Sequence, residues 1–213
     1  MTEITDPKQR IQAAAHGLVM KYGIRTVSMD DIATTVGMSK KTLYQYYRDK
    51  DELVNSIIEK VLSENQCTCN VCITQATNAV HEVFLTIEMM LDMFKDMNPS
   101  VVFDLQKYHP QAYALFIKHK SDFIYNSIKS NLEKGIQEEL YRPDINVEVL
   151  SRFRIESMFI PFNPDFQRSL SKYSLLQMEE QIILNFLFGM VTLKGYRLAT
   201  KYMEQRNKNR IVQ

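Results

Sequence analysis

A short segment between Met38 and Lys50 is rich in side chains that could contact a polyanion such as nucleic acid. It holds four basic residues against one acidic residue. Lysine and glutamine can read the edges of guanine and adenine, and tyrosine hydroxyls can donate to phosphate oxygens. This local excess of positive charge predicts contact with nucleic acid. The candidate side chains are Lys40, Lys41, Thr42, Tyr44, Gln45, Tyr46, Arg48 and Lys50.

The three cysteines form a second group with potential chemistry. Cys67, Cys69 and Cys72 stand close together, and three thiolates could hold a soft metal or act as a redox switch. A structural zinc site needs four ligands, and no histidine or fourth cysteine lies near them in sequence. We therefore expect no metal and no cofactor. We interpret the thiols as inert, with a redox or metal role as the alternative.

The remaining polar groups give no catalytic pattern. The sequence has no Gly-rich phosphate loop, nucleophile elbow or HExxH motif. The acidic pairs Asp30–Asp31 and Glu179–Glu180 are adjacent, so the two acids of each pair point to different helix faces, and we expect both pairs to be solvated. His109 and His119 are interpreted as surface or hydrogen-bonded side chains. We therefore expect that the protein is not an enzyme.

Composition sets the class of protein. The chain has 213 residues, of which 45% are apolar, with 26 basic and 25 acidic side chains. Balanced charge excludes a global field that would draw the chain onto nucleic acid or a membrane. The polar start, Met1–Arg10, lacks the apolar core of a signal peptide, and the longest apolar stretch, 182–193, is too short to span a bilayer. We expect a cytoplasmic protein without a membrane partner.

Helix signals divide the first 62 residues into short helices. Apolar positions between Ile11 and Tyr22 follow a helical period and predict a first helix that ends before Gly23. Ser28 stands three residues before Asp31, which is the spacing of a capping box at the start of a second helix.

The second and third helices are separated by a tight turn. Gly37 ends the second helix and Ser39 caps the third, while Asp49 with Glu52 opens a fourth helix. Leu43 is predicted to face the preceding helices together with Tyr47, and Lys40, Lys41, Tyr44, Gln45 and Arg48 are predicted to face outward. This is a helix-turn-helix pattern, whose second helix can enter the major groove of DNA. Helix N-termini also suit phosphate, so the capping residues Ser28 and Ser39 join the predicted DNA contacts.

The sequence around the third helix resembles the signature of the tetracycline-repressor-like (TetR) transcription regulators, Leu-Tyr-x-His-Phe-x-x-Lys-x-x-Leu. The matching residues are Leu43, Tyr44, Lys50 and Leu53, preceded by Ile32, Ala33, Val36, Gly37 and Ser39. Tyr46 stands where the family usually has His, and Tyr47 where it has Phe. The resemblance implies a sequence-specific repressor that binds double-stranded operator DNA and is released by a small-molecule effector.

Helical periodicity continues through the rest of the chain without strand or hairpin signals, so we predict an all-α fold. A three-helix helix-turn-helix domain at 1–62 would be followed by a helical ligand-binding and dimerisation domain at 63–213. Predicted helices occupy 72–97, 100–108, 110–139, 146–160 and 174–204, and 161–173 is predicted to be a loop with at most a short helical turn.

The last predicted helix, at 174–204, has apolar residues around most of its circumference, which indicates burial on several sides. Gly189 and Gly195 would permit close backbone approach there. The resemblance implies a homodimer formed through the helices at 146–160 and 174–204. The alternative is that these helices form only the core of a monomer.

The central helices are rich in methionine and aromatic side chains, which suit a lipophilic or aromatic effector. The alternative is that these side chains form an ordinary core. The predicted effector-binding residues are Phe84, Met90, Phe94, Tyr108, Tyr113, Phe116 and Phe153.

Two other functions stay open from sequence. The chain could be a helical small-molecule-binding protein or an enzyme without DNA binding. It could also bind DNA as an activator or as a thiol sensor.

Overall fold

The computed structural model describes residues 6–211, with side chains as far as residue 208. The prediction that the chain starts without a signal peptide falls partly on residues 1–5, which lie outside the described residues. The described chain is helical, without a named strand, and the all-α prediction is confirmed. The helices are α1 (Pro7–Tyr22), α2 (Met29–Val36), α3 (Lys40–Tyr46), α4 (Lys50–Gln75), α5 (Ala79–Phe94), α6 (Ser100–Tyr108), α7 (Pro110–His119), α8 (Tyr125–Gln137), α9 (Val147–Phe159), α10 (Pro164–Ser169), α11 (Leu175–Met190) and α12 (Leu193–Ile211).

The described residues pack into two units. Within the described residues, the first unit comprises 6–65, 96–119 and 162–164, and the second comprises 66–95, 120–161 and 165–211. The first unit therefore takes in α6 and α7 as well as the N-terminal helices, because Val101, Leu105 and Ala112 are buried in the same apolar core as α1 to α4. The predicted domain division after residue 62 stays a prediction.

The first unit forms from strong local signals. Ile11, Ala15 and Val19 are spaced four residues apart, so they share one face of α1, and all three are buried. The Asp6 side chain accepts a hydrogen bond from the Lys8 N–H at the start of that helix. Burial of this face against α2 and α3 supplies the apolar free energy that holds such short helices in place.

The fourth helix is longer than its sequence pattern suggested. It continues through the cysteine cluster to Gln75, so the predicted start of the next helix at residue 72 is wrong. That next helix, α5, begins after Asn78, whose side-chain oxygen accepts from the His81 N–H. The capping asparagine marks the true start, because it satisfies a backbone donor that has no partner within the helix.

Two other predicted boundaries need correction. The predicted helix at 110–139 is interrupted by a π-helical stretch at Lys120–Ile124, which separates α7 from α8. The predicted loop at 161–173 contains the short helix α10, which starts at Pro164, and proline is favoured in the first turn of a helix.

The predicted helix at 174–204 is wrong because it is broken into α11 and α12 at Val191. Val191 is extended and forms an isolated antiparallel bridge with Tyr141. The Arg142 N–H donates to the Met190 carbonyl at 2.9 Å, and the Thr192 N–H donates to the Leu140 carbonyl at 2.9 Å. These main-chain bonds replace helical ones, so the helix stops here. Among the described helices, none is long and apolar enough to cross a bilayer.

Candidate nucleic-acid interface and apolar cavity

The turn between α2 and α3 sets the direction of the third helix. Gly37 adopts a left-handed conformation with φ of 69° and ψ of 34°. Its N–H donates to the Thr34 carbonyl, and the Met38 N–H donates to the Ala33 carbonyl. A Cβ atom at Gly37 would meet nothing within 4 Å, so the positive φ, rather than space, favours glycine here. The chain therefore leaves α2 in a fixed geometry and enters α3 after three connecting residues.

The third helix presents one face to the core and the other to solvent. Leu43 is 0% exposed and Tyr47 is 1% exposed, which confirms the inward face that the sequence predicts. The outward face is also confirmed, because its five predicted side chains are all exposed: Lys40, Lys41, Tyr44, Gln45 and Arg48. The buried pair anchors a short helix whose opposite face is exposed, although Arg48 is paired with Asp49 at 2.9 Å.

The two capping serines are engaged within their own helix starts. Ser28 donates from Oγ to the Asp31 carboxylate at 2.6 Å, while the Asp31 N–H donates back to Ser28 Oγ at 3.2 Å. The hydrogen bonds that the Ser28 hydroxyl and the Ser28 N–H donate to the carboxylate hold the pKa of Asp31 below its usual range. Ser39 Oγ accepts from the Thr42 N–H and also hydrogen-bonds the hydroxyl of Thr42. Both predicted capping roles are confirmed, and both hydroxyls remain at exposed helix N-termini.

Two of the predicted phosphate contacts already have protein partners, which the sequence analysis did not anticipate. The Lys40 ammonium donates to the Asp30 carboxylate at 2.7 Å, and this bond raises the pKa of Lys40. The Lys50 ammonium donates to the Ile24 carbonyl at 2.6 Å, and burial lowers its pKa. Lys41, in contrast, has no salt-bridge partner among the described residues. Lys41 is therefore the lysine of α3 with the most freedom to reach DNA.

The aromatic residues of α3 divide between surface and core. Tyr44 is 43% exposed, so its hydroxyl is available to a phosphate. Tyr46 is half-buried and packs against the core, which limits its reach. Tyr47 fills the position where the resembling family has Phe, and its hydroxyl donates to the Lys8 carbonyl at 3.4 Å.

The predicted effector-binding residues are not brought together in one place. Phe84, Met90 and Phe94 are buried on α5 in the second unit. Phe153 belongs to the same unit but is 57% exposed on α9. Tyr108, Tyr113 and Phe116 belong to the first unit.

An apolar cavity in the second unit takes in two of these residues. Helices α5 and α11 line it, and its volume for a water-sized sphere is ≈ 10 Å³. That volume is about what one water molecule needs. The lining residues are Ile87, Met90, Leu91, Phe94, Leu176, Glu179, Glu180 and Ile183.

Glu179 is the main polar residue that sequence reasoning placed wrongly. It was expected to be solvated with Glu180, yet it is 2% exposed. Burial raises its pKa to about 8, although the positive charge of Arg154 acts in the opposite direction. Arg154 is itself buried, and burial lowers its pKa to about 10. The apolar neighbours at positions 175, 176, 182 and 183 are the sequence signal that could have indicated a buried turn of helix here.

The cysteines and histidines occupy ordinary structural positions. Cys67 is exposed, Cys69 is half-buried and Cys72 is buried, and burial raises the pKa of the Cys69 thiol to about 11. A raised pKa keeps a thiol protonated and unreactive. His109 is buried with its Nδ1 2.6 Å from the Asp51 carboxylate, which fits the hydrogen-bonded alternative. His119 is half-buried, and burial lowers its pKa.

Comparison with known proteins agrees with this geometry. Residues 11–57 match the family described as "Bacterial regulatory proteins, tetR family". The HTH-type transcriptional regulator YvaF of Bacillus subtilis is 26% identical over 162 residues, which are 74% of this chain and 82% of that protein.

Two solved structures share the fold over most of their length. A TetR-family regulator from Agrobacterium tumefaciens has a TM-score of 0.72 at 13% identity, covering 87% of this chain and 97% of that one. A transcriptional regulator from Saccharomonospora viridis, solved in complex with choline, has a TM-score of 0.71 at 18% identity, with coverage of 87% and 97%.

The matched segment spans the buried face of α1, the turn at Gly37, the exposed face of α3 and the start of α4. Sequence match and helix geometry therefore agree over this segment. Residues 11–57 form a helix-turn-helix segment at the N-terminal end of the chain that matches the tetR family of bacterial regulatory proteins.

Proposed function

We propose that this protein is a dimeric repressor that binds a specific operator through α3 and leaves it when a small molecule binds the second unit. The observation that carries the proposal is the exposed face of α3, where Lys41, Tyr44 and Gln45 stand free while Leu43 and Tyr47 anchor the helix. Lysine and glutamine on such a face can read base edges, and tyrosine can position the helix on phosphate.

Exposed apolar side chains support a homodimer through α9 and α11, the helices that correspond to the predicted interface. Val149 is 60% exposed and Phe153 is 57% exposed, one helical turn apart on α9. The Phe153 ring stacks on Phe186 of α11 with centroids 6.3 Å apart, so the two helices share one aromatic surface. Large apolar side chains exposed together mark an interaction surface. Two linked recognition helices would then meet two half-sites about 34–36 Å apart.

The proposed effector site is the small cavity of the second unit, which would open further to admit a ligand. The cavity between α5 and α11 contains two predicted effector residues, Met90 and Phe94, and the choline complex shows that a protein of this fold takes up a small molecule. An effector that binds more tightly to the DNA-free state than to the DNA-bound state would lower operator affinity by that difference. We propose an effector with an apolar body, because most of the lining is apolar.

The relatives that match are transcriptional regulators, so we propose a role without catalysis. A bacterial regulator that acts on operator DNA works where the chromosome is, and we propose a cytoplasmic location on that ground.

The experiment that tests this function starts with selection of bound sequences from random double-stranded DNA by the purified protein. Fluorescence anisotropy on the selected operator should give a Kd of about 10 nM or tighter, weakening steeply with salt. The double variant Lys41→Ala, Tyr44→Ala should lose about tenfold or more in affinity. Lys172→Ala, a lysine on the second unit, serves as the matched control. Equal operator binding by the double variant and the wild type would refute the role of α3.

A further inference from the structure

Glu179 is a buried acid whose hydrogen-bonding capacity is unused. It is 2% exposed, and neither of its carboxylate oxygens has a hydrogen-bond donor among the described residues. Buried carboxylates ordinarily accept several hydrogen bonds, because an unsatisfied buried acceptor is costly. An exception of this kind, on the wall of a cavity, indicates that a donor from outside the chain completes the site.

Of the two acids on the cavity wall, Glu179 is the one whose carboxylate oxygens can accept hydrogen bonds from a ligand. Glu180, the second acid on the cavity wall, is held by Arg206 of α12, which also binds Glu88 of α5. Arg154 of α9 acts on Glu179 at a distance but forms no ion pair with it among the described residues, and its guanidinium donates to Ser157 Oγ at 3.4 Å.

We propose that Glu179 receives the head group of the effector, and that this effector is a protonated primary or secondary amine with an apolar body. This inference rests on the proposed function, which supplies the effector. An ammonium group brings positive charge and two or more N–H donors, so it can satisfy both carboxylate oxygens at once. A neutral alcohol has one donor, and a quaternary ammonium or a carboxylate anion has none.

The cavity as it stands admits only the head group of such a ligand, and its apolar walls would have to open for the body. A volume of ≈ 10 Å³ accommodates a group about the size of water, which is also the size of an ammonium head. The apolar body would lie between α5 and α11 against Ile87, Phe94 and Ile183. Met90 lines the same space, and the flexible methionine side chain can move to enlarge it.

Binding of an amine should be linked to release of a proton. Burial keeps the free carboxyl of Glu179 largely protonated at pH 7, because its pKa is raised to about 8. The amine requires the ionised form, so its affinity should rise about tenfold per pH unit below this pKa and level off above it. Arg154, Glu180, Glu88 and Arg206 are the charged groups around the site.

The test uses four probes on the full-length protein: n-hexylamine, 1-hexanol, hexanoate and tetramethylammonium. Isothermal titration calorimetry at pH 6, 7 and 8.5, in two buffers of different ionisation enthalpy, reports affinity and proton release together. We expect hexylamine to bind most tightly, with close to one proton released at pH 7. Glu179→Gln should weaken hexylamine binding roughly 10- to 100-fold and remove the pH dependence. Glu59→Gln, an exposed acid on α4, is the matched control.

Several outcomes would overturn the inference. They are tighter binding of hexanol or hexanoate, equal binding of tetramethylammonium, no amine binding at any pH, or unchanged binding by Glu179→Gln. If Glu179→Gln fails to fold, the pH dependence and proton release of the wild type decide alone. Operator binding is measured in parallel: operator binding without amine binding refutes this inference only, whereas amine binding without operator binding refutes the proposed function and leaves the amine site in place.

Discussion

The Lys40 ammonium lies 2.7 Å from the Asp30 carboxylate, so the first lysine of the recognition helix is paired with the preceding helix. Both side chains are more than half exposed, at 52% and 63%. An exposed ion pair contributes little to stability, because water and salt screen it. The main effect of the pair is to make Lys40 less available for DNA. Its ammonium must break or weaken the contact with Asp30 before it can neutralise a phosphate.

Asp30→Asn should therefore tighten operator binding by a few-fold. The substitution frees Lys40 and removes a negative charge that would lie near the DNA backbone. Anisotropy titrations at two salt concentrations would measure the change. Asp92→Asn, an exposed acid on α5, controls for net charge alone. Unchanged or weaker operator binding by Asp30→Asn, at normal folding, would contradict the importance of this pair.

If the proposed dimer forms through the aromatic surface of α9 and α11, Phe153→Arg should yield a monomer. The side chain is 57% exposed, so the change should leave the fold of the second unit intact while placing a charge in the proposed aromatic surface. Loss of a large aromatic anchor costs about 2 kcal/mol or more of association free energy. Light scattering after size-exclusion chromatography would report the mass. Phe103→Arg, at a 39% exposed aromatic in the first unit, is the control. If the Phe153→Arg protein remains a dimer at micromolar concentration, the dimer interface does not include Phe153.

Gly195→Ala should destabilise the protein by about 1–3 kcal/mol. A Cβ atom at this position would lie 2.1 Å from the Leu140 carbonyl oxygen, and backbone cannot easily give way. Gly17→Ala is the matched control, because its Cβ would meet nothing within 4 Å and alanine is the better helix former by up to about 1 kcal/mol. Urea denaturation at one fixed protein concentration would compare the two. Equal stability of Gly195→Ala and Gly17→Ala would show that the backbone around Leu140 shifts to accommodate the added methyl group at little cost.

The stability of the protein should fall as pH rises from 5 to 8 through the contribution of Glu179. Its pKa in the folded state, about 8, lies above the ordinary value of 4.5, so the folded state holds a proton that the unfolded state has released. This contribution is fully present below pH 4.5 and is lost as pH approaches 8, with a slope of at most about 1.4 kcal/mol per pH unit.

The measurement is the difference in free energy of unfolding between the wild type and Glu179→Gln at pH 5, 6, 7 and 8. Titrations of the histidines cancel in this difference. The variant should show the weaker pH dependence, even if the unbalanced charge of Arg154 lowers its overall stability. Parallel pH profiles for the two proteins would mean that Glu179 is ionised in the folded state at neutral pH.

Sequence predicts the helix-turn-helix well because its determinants are local. The capping serines, the glycine of the turn and the four-residue spacing of Leu43 and Tyr47 each act within one or two helical turns. The partners of two predicted contacts were missed because they depend on distant segments. Lys50 reaches Ile24, and Lys40 reaches Asp30, only after the helices have packed.

The second unit was harder to predict for the same reason. The pattern of α11 shows an apolar helix, but burial of Glu179 depends on α5, which is about ninety residues earlier in the chain. The predicted effector contacts were selected because they are methionine or aromatic residues. Residue type alone does not indicate to which of the two units a helix belongs. Gly195 was correctly expected to allow a close backbone approach, whereas Gly189 has nothing within 4 Å of its Cβ position.

The bridge between Tyr141 and Val191 is formed by main-chain atoms, and Gly195 leaves room for the Leu140 carbonyl that accepts one of its hydrogen bonds. Its two donors are the amides of Arg142 and Thr192, so proline is the residue that would directly abolish either bond. Side chains that neither crowd the Leu140 carbonyl nor remove a main-chain donor can therefore change while one helix still ends and the next still begins at the same point. The break is specified by backbone geometry more than by side-chain chemistry.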